Sequence, residues 1–318
     1  MLIEIGLLIA GLALLLVAGE LLVRGAVSLA KLLSIPSLLI GLTVVAFGTS
    51  APELVVTVQA VLSGDNGIAM GNIVGSNIAN ILLVLGLPAV VSAISLATPR
   101  LRRHAVVMVA ATALFMGFVY VGGEIARTAG LVMLGAITLY ILMIGLDARR
   151  GGDPDLMAEV EEYGETAASK WKTPLFLILG LVGLPLGASL LVDNGAAIAT
   201  RLGVREEVIG LTIVAFGTSL PELATVFAAA LKREADVAVG NILGSNIFNL
   251  LFVGGVAGLV GTSTFSDAAL AVDLPVMAAC TLVLAGLVVA RGRIGRLLGV
   301  AFTLAYVAYI TFLGTAGA

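Results

Sequence analysis

Two acidic residues stand in stretches of the chain that are otherwise apolar. Glu53 and Glu222 each follow a proline, Pro52 and Pro221, at the end of a Gly-Thr-Ser-x-Pro-Glu motif. An ionised carboxylate deep in a membrane helix is costly, about 2.5–3.5 kcal/mol for an aspartate on insertion scales, so it is protonated, paired or bound to a cation. No Lys or Arg falls at comparable depth in any apolar stretch, which makes imported cations the simplest counter-charge. The neighbouring residues are oxygen donors. Hydroxyls stand at Thr49, Ser50, Thr218 and Ser219, and two stripes step by four: Asn72, Ser76, Asn80 and Asn241, Ser245, Asn249. Hard oxygens in that number suit calcium, which takes about 6–8 of them in flexible geometry, better than magnesium, which keeps its waters. Softer metals want thiolate or imidazole, and the chain has only Cys280 and His104 to offer.

The motif also shapes the backbone that carries it. Proline removes an N–H and clashes with the preceding turn, and Gly48 and Gly217 sit four residues before Pro52 and Pro221. Both helices are therefore expected to break there. A break frees carbonyls, which a membrane tolerates only where they are buried or line a cavity. Thr49 and Glu53 are spaced i, i+4, as are Thr218 and Glu222, and each pair shares a face if its helix runs on.

The chain contains its own alignment. Residues 41–86 and 210–255 match without a gap at an offset of 169, with 26 of 46 positions identical. Hydrophobic drift can match Leu and Ala. It does not match Gly-Asn-Ile-x-Gly-Ser-Asn-Ile-x-Asn and Gly-Thr-Ser-x-Pro-Glu in register, so the chain carries an internal duplication.

Composition says what solvent surrounds these segments. Of 318 residues, 60% are apolar and 12% charged, half the charged share of a soluble domain, about a quarter. The chain is expected to be an integral membrane protein. A net charge of −3 leaves no basic footprint for nucleic acid. One cysteine excludes an internal disulfide, and one histidine excludes two-His zinc motifs.

A membrane helix needs about 20 mostly apolar residues. Ten stretches qualify: 3–23, 37–62, 68–96, 105–122, 125–146, 174–199, 207–231, 237–261, 268–290 and 294–313. Long Leu-, Ala- and Gly-rich runs without period-two alternation predict an all-α polytopic protein rather than a barrel. The first stretch is too long for a signal-peptide core and has no basic region before it, so it reads as a retained span. Alternate assignment of the loops puts fourteen of the seventeen Lys and Arg on one side and only Arg127, Arg201 and Arg205 on the other. The positive-inside rule then makes the fourteen cytoplasmic and both termini extracytoplasmic, in a plasma (inner) membrane. The two copies fall in spans 2–3 and 7–8, five helices apart, so they enter the membrane in opposite directions. This is the inverted repeat that many secondary transporters use. The expected organisation is a five-helix half over 1–148, a cytoplasmic linker over 149–172 and an inverted five-helix half over 173–318.

Several features have plainer readings. Small-xxx-small spacings such as Gly71/Gly75 and Gly240/Gly244 are helix-packing devices, and Ser, Thr and Asn also join membrane helices by hydrogen bonds. Glu20 and Arg24, spaced i, i+4, are expected to pair at the inner interface. Asp193 reads as a vestibule group at most, and His104, beside Arg100, Arg102 and Arg103, as exposed. The acidic stretch around Glu159, Glu161 and Glu162 reads as solvated linker.

On these motifs the chain resembles the cation/calcium exchanger superfamily, and within it the prokaryotic sodium/calcium exchangers, across both 46-residue repeats. The resemblance implies one calcium position with adjoining sodium positions between the halves. It implies ligands at the carbonyls of Ala46 and Ala215, at Thr49, Ser50 and Glu53, and at Thr218, Ser219 and Glu222. Ser76 and Ser245 match sodium-ligating serines, and Asn80 and Asn249 the remaining polar positions. Some relatives, notably the potassium-dependent exchangers, carry Asp where this chain has Asn249, and the neutral amide argues against potassium co-transport. The large regulatory loop of animal exchangers is missing. The implied activity is antiport of sodium for calcium by alternating access, 3 Na+ to 1 Ca2+, with calcium and sodium as substrates. Neither a cofactor nor a protein partner is implied, and the chain is not expected to be an enzyme. Two close carboxylates resist joint ionisation, so proton/calcium exchange is the alternative, and a passive cation channel a remoter one.

Overall fold

The structure is a computed structural model that describes residues 2–33, 37–64, 66–98, 100–149, 170–202, 215–265 and 269–316. Most of the expected linker, 149–172, and the acidic residues in it lie outside the described residues. The apolar runs form helices. In chain order they are α1 Leu2–Leu33, α2 Ser37–Ile40, α3 Ala46–Thr49, α4 Ala51–Leu62, α5 Asn66–Ala79, α6 Gly86–Val91, α7 Leu101–Gly122, α8 Arg127–Arg149, α9 Lys172–Arg201, α10 Ala215–Thr218, α11 Leu220–Leu231, α12 Ala235–Phe248, α13 Gly254–Val260, α14 Leu274–Val289 and α15 Arg296–Ala316. Among the described residues four π-helical turns, Gly41–Val45, Asn80–Val84, Asn249–Val253 and Ala269–Asp273, join or extend them.

Among the described residues, eight helices are long and apolar enough to cross a membrane. A pair bent by 47°, Gly41–Thr49 with Ala51–Leu62, makes a ninth. Of the expected span 207–231, residues 207–214 lie outside the described residues, and the remainder is α10 and α11. The helices form two shells. The spans built on α5 and α12 have 83% of their most apolar stretch buried, against 17–33% for the other six. Those outer helices turn Leu12, Leu16, Leu139, Leu142 and Leu304 outward, as lipid-facing side chains must be. Helices α1 and α9 pack along each other and share an apolar cluster of their own, with Leu15, Ala18, Leu22 and Leu184 at its centre, separate from the main core.

The offset of 169 reaches well beyond the 46-residue match. A Cβ on Gly11 would lie 2.8 Å from the Leu191 backbone N, and one on Gly180 would lie 2.8 Å from the Leu22 backbone N. These are equivalent contacts, each residue shifted by 169. Likewise a Cβ on Gly130 would lie 2.6 Å from the Gly255 carbonyl oxygen, and one on Gly299 would lie 2.7 Å from that of Gly86. Without side chains at these glycines the helices cross backbone against backbone.

Four two-residue strands add to the all-helical expectation. Ile94–Ser95 pairs antiparallel with Arg293–Ile294, and Glu124–Ile125 with Ser263–Thr264. Strands this short have no periodicity to show in a sequence. Shifting the first pair by 169 residues gives the second, register included. One sequence expectation fails: His104 is buried, not exposed, with its Nδ1 3.0 Å from the Tyr140 hydroxyl. The arginines around it belong to the helix end, whereas its own face of α7 turns inward. The equivalent positions in the second half are Asp273 and Tyr309, whose hydroxyl donates to Asp273 Oδ1 at 2.8 Å.

Candidate functional site

The helices do break at the motif. The first rod stops at Thr49, Ser50 leaves helical geometry at φ −83°, ψ 6°, and a new helix starts with Pro52 in its first turn. Ser219 repeats this at φ −85°, ψ 1°, ahead of Pro221. Proline is well placed in a first turn because its missing N–H would have no intrahelical acceptor there. Each break puts its glutamate in the first turn of a new helix, so Thr49 and Glu53 lie on separate rods and the run-on reading of their shared face does not apply.

Both carboxylates are buried, Glu53 at 1% exposure and Glu222 at 0%, and they lie close enough to act on each other electrostatically. Around them gather residues of both halves. Ser50 Oγ donates to Glu222 Oε1 at 3.3 Å, and the hydroxyls of Thr49 and Ser245 also face that carboxylate. Thr49 Oγ1 donates to Asn241 Oδ1 at 3.2 Å and lies 3.4 Å from Ser245 Oγ. Across the site, Thr218 Oγ1 lies 3.5 Å from Asn72 Oδ1. Asn72 donates to the Glu53 carbonyl at 3.0 Å and to Thr57 Oγ1 at 2.9 Å, fixing α5 to α4. The Ala46 carbonyl accepts Ser50 N–H at 3.0 Å and faces Thr49 Oγ1 at 3.4 Å. Ala215 opens α10 one rod before Ser219.

Asn80 and Asn249 each begin a π-helical turn, closed by the Leu85 and Gly254 N–H groups respectively. Such turns widen a helix and cluster at functional sites. Ser76 and Ser245 lie one turn earlier and are buried. In this polar centre Ala46, Thr49, Ser50, Glu53, Ser76, Asn80, Ser219, Glu222, Ser245 and Asn249 are buried, and Thr218 is half-buried. Asp193 stays exposed on α9.

Two residues of that centre, Asn77 and Asn246, have no place in the step-by-four stripes. Asn246 Oδ1 accepts from Asn80 Nδ2 at 3.0 Å, and its Nδ2 donates to the Asn77 carbonyl at 3.3 Å. Their signal was present: each is the Asn of Gly-Ser-Asn-Ile, identical in both copies.

Several buried polar atoms have no hydrogen-bond partner among the described residues. They include both carboxylate oxygens of Glu53, Glu222 Oε2, Ser219 Oγ, Asn80 Oδ1 and both amide atoms of Asn249. Buried polar groups are normally satisfied, which leaves these atoms with bonding capacity to spare. Among the described residues no group of three or more His, Cys, Asp or Glu gathers for a metal. The donor set is two carboxylates with hydroxyl and amide oxygens, a hard-oxygen centre suited to sodium or calcium as substrate.

Membrane-crossing helices around a buried carboxylate pair, ringed by hydroxyls and amides, define a membrane ion transporter. The chain belongs to the sodium/calcium exchanger protein family, whose model matches residues 3–146 and 172–315. It is 38% identical over 304 residues to the putative antiporter CaxA of Alkalimonas amylolytica, covering 94% of this chain and 95% of that one. It is 30% identical over 339 residues to the sodium/calcium exchanger MaX1 of Methanosarcina acetivorans, covering 96% and 97%. The fold matches a structure of the sodium-calcium exchanger NCX_Mj soaked with Na+ and Ca2+, at a TM-score of 0.83, 30% identity and 98% coverage of both chains. The family is one of multi-pass membrane exchangers, transporters rather than enzymes.

Proposed function

We propose that this protein exchanges sodium for calcium by alternating access, with Glu53 and Glu222 as the charged ligands. The observation that carries the reading is the buried carboxylate pair, which has no basic partner among the described residues and lies among other unpartnered polar atoms. Two carboxylates supply −2, so one Ca2+ leaves the site neutral. Sodium ions in several smaller positions replace it, drawing on Thr49, Ser50, Ser76 and Asn80 and on Thr218, Ser219, Ser245 and Asn249, with the Ala46 and Ala215 carbonyls. Three sodium ions per calcium move one net charge per cycle, worth about 2.3 kcal/mol per 100 mV. Coupling follows because an empty, doubly negative site cannot close without burying uncompensated charge.

The ten-span inverted layout, with halves over 1–148 and 173–318, the linker inside and both termini outside, accounts for the cross-chain contacts. Each strand pair joins segments on a single side of that scheme, Ile94–Ser95 with Arg293–Ile294 inside and Glu124–Ile125 with Ser263–Thr264 outside, and Ser92 with Ala230 and Thr98 with Asp236 join segments inside. So does the ion pair of Lys232 with Glu20, the glutamate that also takes Arg24. The packing of α1 and α9 also supports alternating access. α1 packs along α11, where a Cβ on Gly19 would lie 2.9 Å from the Ala224 carbonyl, while α9 makes no equivalent packing on α4 among the described residues. In this scheme α11 is the cytoplasmic half of its span and α4 the outer half of its own, so the site is closed inward and faces outward.

The test is calcium flux in proteoliposomes with sodium, potassium and proton gradients varied one at a time. Uptake driven by internal sodium alone is expected. Uptake that is indifferent to sodium contradicts the reading. A response to a pH gradient in sodium-free buffer favours proton/calcium exchange instead.

A further inference from the structure

Asn80 and Asn249 are the same residue at equivalent positions, each opening a π-helical turn, yet they are held differently. Asn80 donates through Nδ2 to Asn246 Oδ1 at 3.0 Å, which leaves its own Oδ1 without a partner. An amide held by its nitrogen has its oxygen fixed in direction. Asn249 has neither amide atom hydrogen-bonded among the described residues, although it is fully buried.

The difference originates one turn away. A shift of 169 turns the Asn80–Asn246 bond into a bond between Asn249 and Asn77, and that bond is not made: Asn77 Oδ1 has no partner. Instead Asn77 donates to the Ile73 carbonyl of its own helix at 2.7 Å. Asn246 reaches away from its helix, to the Asn77 carbonyl at 3.3 Å and to Met108 Sδ at 3.9 Å. So one of two equivalent asparagines bridges the halves and the other is folded back.

The same one-sidedness appears at the carboxylates. Ser50 Oγ donates to Glu222 at 3.3 Å, while the equivalent pair, Ser219 Oγ and Glu53, is unmade and all three oxygens are unpartnered. Both unmade bonds are the mates of bonds that are made. Fully buried amide and carboxylate atoms cost free energy when unpaired, so an arrangement that formed the unmade pairs would recover part of that cost.

We infer that Asn246 and Asn77 are alternating positioning residues: Asn246 orients the Asn80 amide oxygen toward the cation site in the state described here, and Asn77 does the same for Asn249 in the opposite-facing state. The amide that is held serves as a preorganised ligand, and the one released is free to follow the leaving ion. The inference rests on the exchanger reading of the same site.

The experiment measures half-saturating calcium at each face separately, in right-side-out and inside-out membrane vesicles, for wild type, Asn246→Ala and Asn77→Ala. Asn246→Ala is expected to raise the value about tenfold at the outer face and less than about twofold at the inner face. Asn77→Ala is expected to do the reverse. In an Asn80→Ala background the effect of Asn246→Ala disappears, because Asn246 acts through Asn80; a merely structural role leaves it in place. Monodisperse elution of each variant verifies folding, and Asn246→Ser serves the same measurement where the alanine variant does not fold. Equal effects at both faces, no effect at either, or additivity with Asn80→Ala overturns the inference. Failure of the wild type to exchange sodium for calcium overturns the functional reading instead.

Discussion

Glu222 and Glu53 occupy equivalent positions on equivalent broken helices, and their surroundings differ. Glu222 accepts a hydrogen bond from Ser50 Oγ at Oε1 and leaves Oε2 unpartnered, whereas Glu53 has both oxygens unpartnered among the described residues. Elsewhere the halves agree closely. The strand registers, the glycine crossings and the Thr112–Thr281 contact, a pair of equivalent residues 3.4 Å apart, all map onto themselves under the 169-residue shift. Among the described residues the differences include the polar centre, the packing of α1 and α9 beside it, and the crossing at Gly244, where an added Cβ would meet Ala46 although its mate Gly75 has nothing within 4 Å. A scaffold that keeps its symmetry while its site breaks it is what two interchangeable states of one molecule require.

The largest expected effect comes from removing a charge from either half. A carboxylate and a divalent cation about 4 Å apart at an effective dielectric of about 20 interact by about 8 kcal/mol, about half of which is offset by the lost repulsion between the two carboxylates, so Glu53→Gln or Glu222→Gln should weaken calcium binding by roughly three orders of magnitude. Exchange in vesicles should fall to background in both. Retained exchange in one of them would make the two halves functionally unequal and break the comparison.

The glycine crossings test the symmetry of the scaffold. Gly130→Ala and Gly299→Ala each drive a Cβ into a facing carbonyl, at 2.6 and 2.7 Å. Overpacking of this kind costs about 1–3 kcal/mol, and the two thermal midpoints should drop by similar amounts. Gly135→Ala, with nothing within 4 Å of its added Cβ, should leave the midpoint unchanged or raised. The smallest effects belong to the buried tyrosines. Tyr140→Phe and Tyr309→Phe each delete one hydrogen bond, to His104 and to Asp273, worth about 1 kcal/mol. Melting in detergent should register similar losses, and a loss in one alone would show that the mirrored pairs carry different loads.

Much of this was legible in the sequence because the duplication carries its own control. The breaks at Pro52 and Pro221, the twin glutamates and their ring of hydroxyls follow from composition and spacing. The asparagines at 77 and 246 escaped because a step of four from Asn72 or Asn241 passes them by. The burial of His104 escaped because the nearby arginines set the expectation, while its partner Tyr140 lies 36 residues away on another helix. The same shift that aligns the motifs also aligns His104–Tyr140 with Asp273–Tyr309, and that correspondence was open to reading. No periodicity could reveal strands of two residues. Nor could the identity of the two copies show which of two equivalent bonds is made, since identical sequences carry no trace of the state in which they are found.

Equilibrium binding of radioactive calcium to the purified protein, titrated with sodium chloride against a choline chloride control, tests the central claim most directly. The account predicts one calcium per chain in the wild type, displaced by sodium with a steep, cooperative dependence, and no calcium bound by Glu53→Gln or Glu222→Gln. Calcium binding that persists in both variants, or that ignores sodium, would contradict it.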